Sequence, residues 1–67
     1  MKFYAYIPRL DGSEPCGTIN ACLIELKTVK GAVKQAIKRL GTNKIIVKSY
    51  TNLYQDSTFK IVYNNWN

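Results

Sequence analysis

Histidine is absent from the chain, which removes the commonest general base near neutral pH and the usual partner of a serine or cysteine nucleophile. Four carboxylates remain: Asp11, Glu14, Glu25 and Asp56. Asp11 and Glu14 could share a site, but they stand in a turn-rich stretch, where carboxylates are ordinarily solvated. Cys16 follows Pro15 with no identifiable partner to activate its thiol, and Cys22 reads as a small side chain buried in an apolar run. The two cysteines permit one disulfide, which their spacing does not decide. Without histidine or a second cysteine pair, a four-ligand zinc site has almost nothing to be built from. Gly12 and Gly17 match neither a Walker loop nor a dinucleotide-binding turn. The residue inventory therefore points away from an enzyme, a cofactor or a metal.

Positive charge offers more. Ten Lys and Arg stand against four Asp and Glu, a formal net charge of +6. Lys27, Lys30, Lys34, Lys38, Arg39, Lys44 and Lys48 fall in one window that contains no acid. Such a concentration favours association with nucleic acid, an acidic protein or anionic lipid, although a solvated helix face carries lysines too. Lysines on successive turns would meet phosphates, giving affinity and salt dependence without base identity. Tyr4, Tyr6 and Tyr50, interleaved with Lys48 and Lys60, have the composition of a surface that stacks unpaired bases while amines hold the backbone. Tyrosines also pack well in strands for purely structural reasons.

These side chains need elements to position them. Val29, Ala32, Val33, Ala36, Ile37 and Leu40 recur at three-and-four spacing and predict an amphipathic helix over 28–40, with Thr28 as its N-terminal cap and Gly41 ending its last turn. Its other side is basic. Lys2 to Leu10 alternates, with Phe3, Ala5 and Ile7 on one face and Tyr4 and Tyr6 on the other, and Pro8 marks the strand's end. Residues 11–18 are dense in turn formers. Ile19 to Lys27 could extend the helix, but the cap at Thr28 favours a strand ending near Leu26, with Cys22, Ile24 and Leu26 sharing a face. Lys44 to Tyr50 is a strand rich in β-branched residues. A loop around Thr51 to Ser57 precedes a last strand over 58–63, whose alternation puts Phe59, Ile61 and Tyr63 on one side. Trp66 is expected to pack over an edge of the core.

The predicted fold is α+β: a two-layer ββαββ domain spanning 1–67, with the helix laid on a four-stranded, largely antiparallel sheet. The helix stripe should meet Phe3, Ile7, Ile24, Val47, Phe59 and Ile61. At 67 residues such a domain buries only roughly 60% of its unfolded surface. The opposite sheet face would be open, leaving Leu23 and Ile46 beside the tyrosines and making a homodimer possible. No run is apolar enough to cross a membrane and no export segment is visible, so a cytoplasmic setting is expected. The favoured function is a small, non-catalytic protein binding DNA or RNA, its phosphates through the lysine-rich helix and its bases through the sheet tyrosines. The alternative is a protein-interaction or inhibitor module that engages a partner, such as an acidic protein, through its exposed sheet face or edge.

Overall fold

Both end signals of the helix act as their residue types predict. The computed structural model describes residues 2–15, 20–50 and 59–66, and helix α1 spans Val29–Leu40. Thr28 is extended at φ −129° and ψ 150°, and its Oγ1 accepts a hydrogen bond from Gly31 N at 3.1 Å. At the other end Gly41 is left-handed, φ 76°, and its N–H reaches Ile37 O at 2.9 Å. Ala32 and Ala36 are completely buried. Their small side chains let the helix lie close to the sheet, while Val29, Val33, Ile37 and Leu40 pack around them.

The strands are β1 (Lys2–Tyr6), β2 (Ala21–Glu25), β3 (Ile46–Tyr50) and β4 (Lys60–Asn64). They form one sheet in the order β2-β1-β3-β4, every pair antiparallel. The protein is thus a two-layer α+β fold with one helix on a four-stranded antiparallel sheet. Because β2 and β3 flank β1 and run the same way, α1 is the crossover that joins them. Phe3, Ala5, Ile24, Ala32, Ala36, Ile45 and Val47 make the buried core, and Ile7, Cys22 and Leu26 pack against it. Of the six side chains expected against the helix, Phe3, Ile7, Ile24 and Val47 are there.

Phe59 and Ile61 are not. A register shift between Val47 and Lys48 pairs Val47 with Tyr63 but Lys48 with Ile61. Val62 is the extra residue of this bulge, and both Val62 and Tyr63 pack on the core side. Two consecutive side chains on one face reverse the parity of everything before them. Phe59 and Ile61 consequently join the opposite face, where Ile61 is 52% exposed. Lys60 pairs with Ser49, the β3 residue that also opposes Phe3, so Lys60 belongs to the helix side rather than beside the tyrosines.

The face away from the helix is less open than its alternation implies. Leu23 is exposed as expected, but Ile46 is buried and Tyr6 is only 3% exposed. Tyr6 is flanked by its cross-strand partners Ala21 and Ile46 and by the Tyr4 ring, where the β1–β2 loop returns over the sheet. That loop turns at 9–13, with Arg9 N donating to Ser13 O and Gly12 N to Arg9 O. The Trp66 ring lies against Gly12, where a Cβ would stand 3.7 Å from Trp66 Cζ3. Re-entry into β2 passes through Asn20, left-handed at φ 59°, whose carbonyl accepts from Ile7 N. Cys22 carries a free thiol. Cys16, residues 51–58 and the loop expected there lie outside the described residues.

Candidate nucleic-acid interface

The ten residues expected to bind nucleic acid separate onto two surfaces with the sheet between them. On α1, Lys30, Lys34 and Lys38 are exposed at successive i, i+4 positions, which strings three ammonium groups along about 12 Å of helix. None forms an ion pair with a described carboxylate. Lys38 and Arg39 occupy the last turn, where positive charge suits the helix dipole. Lys44 is exposed just beyond that end, its backbone N–H held by Thr42 Oγ1 at 3.2 Å. Lys27, by contrast, borders an open cleft at the helix start together with Glu25, Leu26, Thr28 and Gly31. The nearby carboxylate dilutes the positive potential there.

Arg39 leans the other way. Its Nη1 donates to Leu23 O at 3.4 Å, on the outer edge of β2. The same guanidinium lies beside Cys22, whose thiol pKa is raised by burial, against the lowering influence of Arg39. Arg39 thus covers part of an otherwise unpaired sheet edge, and its charge is only partly available to a ligand.

On the tyrosine face Lys48 is central. Its Nζ lies 2.6 Å from Glu14 Oε1, 5.4 Å from the Tyr6 ring centroid and 5.8 Å from the Phe59 centroid. Tyr4 and Tyr6 are 5.4 Å apart with a 34° tilt, and Tyr50 and Phe59 are 5.6 Å apart with a 46° tilt. Burial lowers the Lys48 pKa, but the Glu14 hydrogen bond, together with Tyr6 and the Glu14 charge, outweighs it and holds the ammonium above its ordinary value. Tyr4 is raised, chiefly by burial and then by the Glu14 carboxylate. Tyr4 and Tyr50 keep partial access to solvent, whereas Tyr6 is a packing residue with no free ring face.

Three members of this surface escaped the residue patterns. Lys2 faces Tyr50 across the β1–β3 ladder, and its parity with Tyr4 and Tyr6 was a usable signal. Phe59 arrives through the bulge and Glu14 through a loop that folds back, neither of which leaves a periodic trace. Comparison with protein-family models, with curated proteins and with solved structures found no match. Among the described residues no helix is long and apolar enough to cross a membrane.

Proposed function

We propose that this protein binds nucleic acid without catalysis, holding phosphates through Lys30, Lys34 and Lys38, with Lys44, Lys27 and Arg39 at the margins. Tyr4 and Tyr50 supply stacking surface on the other layer, and the expected setting is the cytoplasm. The observation that carries this reading is the exposed lysine stripe on α1, which forms no ion pair with a carboxylate among the described residues. Each like-charged i, i+4 pair costs an isolated helix about 0.2–0.5 kcal/mol, and Lys30 lies in a first turn that has no acid to complement the dipole. An arrangement that lowers the stability of the free protein is expected where a polyanion repays it.

The test is a salt titration of binding to labelled single-stranded and duplex DNA and RNA. Affinity should fall steeply with salt, and Lys34→Gln with Lys38→Gln should flatten the log–log slope by roughly 1.4 on a single strand and roughly 1.8 on duplex DNA. Lys34→Gln alone, which relieves both like-charged pairs and leaves Lys38 in its favourable last-turn position, should leave the free protein as stable or slightly more so. Absence of binding at low salt would sink the reading.

A second reading, a protein-interaction or inhibitor module, is favoured by one feature: Leu23, Phe59 and Ile61 are exposed apolar side chains on the tyrosine face. Leu23→Glu or Ile61→Glu would damage that function and spare phosphate binding by α1. The solution mass distinguishes a self-association through this face.

A further inference from the structure

Lys48 sits among aromatic rings with an anion already on it. The Glu14 carboxylate is 2.6 Å from Nζ, and it comes from a loop 34 residues away in sequence. Around the ammonium lie the Tyr6 and Phe59 rings, with Tyr50 against Phe59 and Tyr4 against Tyr6. A cation flanked by ring faces is what a single-stranded backbone requires: the amine takes a phosphate and the rings take bases. A duplex, whose bases are already stacked on one another, has no use for the rings.

Resting on the nucleic-acid reading above, we propose that Glu14 is an internal competitor that occupies the phosphate position of a single-strand site formed by Lys48, Tyr4, Tyr50 and Phe59. The Glu14 side chain is 49% exposed and that of Lys48 largely covered, so the carboxylate can rotate into water while the ammonium stays in place. A pair whose carboxylate stands half in water is readily exchanged for another anion. The competitor therefore tunes affinity and selects for ligands that bring rings as well as charge; it does not close the site.

The experiment measures binding of a labelled oligothymidylate of about 12 nucleotides and of a mixed-sequence duplex, across salt concentration. The proteins are wild type, Glu14→Gln, Glu25→Gln and Glu14→Gln combined with Lys48→Met. Glu25 is an exposed acid on β2, so its substitution changes net charge equally without freeing Lys48. Glu14→Gln should tighten single-strand binding about two- to fivefold and steepen its salt slope by about 0.7, one extra phosphate contact. Glu25→Gln, which relieves Lys27 rather than Lys48, should raise single-strand and duplex binding alike without favouring the single strand, and adding Lys48→Met should cancel the single-strand gain of Glu14→Gln. Equal gains in single-strand preference from Glu14→Gln and Glu25→Gln, no gain from Glu14→Gln, or a gain that survives Lys48→Met would each overturn the competitor while leaving the helix reading standing. If no variant binds either probe at low salt, both fall together.

Discussion

Asp11 shows how one exposed residue shapes a surface it does not belong to. Its Oδ1 accepts hydrogen bonds from Ser13 N at 2.9 Å and Ser13 Oγ at 2.6 Å, an Asx-type turn that sets the direction in which the chain leaves β1. That turn holds Gly12 against Trp66 and delivers Glu14 to Lys48. The Ser13 hydroxyl, then its backbone N–H, keep the Asp11 carboxyl below its ordinary pKa of 3.8. A depressed carboxylate contributes its stabilisation above the unfolded-state value and loses it as pH falls through the folded one. In an NMR titration the Asp11 carboxyl carbon should have its midpoint below 3.8, and the Ser13 amide shift should move with it. A midpoint at or above the ordinary value would show that the turn does not form in solution.

At the scale of the element, the start of α1 contains a conflict between two local rules. Alanine is preferred to glycine inside a helix by about 1 kcal/mol, yet Gly31 stands in the first turn. A Cβ at Gly31 would meet Thr28 Oγ1 at 3.0 Å, and that oxygen is pinned by the Gly31 N–H itself. The cap and the methyl compete for the same space. Gly31→Ala should therefore fail to stabilise the protein in chemical denaturation. In a Thr28→Ala background, which alone costs about 1 kcal/mol, the same substitution should recover its usual gain. Gain of the full increment with Thr28 intact would mean that the cap yields freely.

Across the whole molecule, six net positive charges sit on a domain whose Cα radius of gyration is 11.0 Å. At low ionic strength the screening length, about 30 Å at 0.01 M, exceeds the size of the protein; at 0.15 M it is about 8 Å. Self-repulsion among the lysines is then largely screened, and the attractive pair of Glu14 with Lys48 on the sheet face is too small a counterweight. The thermal midpoint should rise between those two chloride concentrations. A midpoint that falls would mean that attractive pairs, not repulsion, dominate the surface.

How much of this was readable in the residues depends on the range of the interaction involved. Element order, the bounds of α1, the caps at Thr28 and Gly41, and the core faces of β1 and β2 follow from spacing and local sterics, which act within a few residues. The lysine stripe was legible for the same reason, since i, i+4 neighbours share a face in any α-helix. The face of β4 was not: one extra residue at Val62 exchanged Phe59 and Ile61 with Lys60, and a bulge is chosen by pairing with β3, not by the strand's own alternation. Nor was the burial of Tyr6 or the capture of Lys48 by Glu14. Alternation says which side of a sheet a residue points to, but whether that side meets water depends on where a distant loop comes to rest.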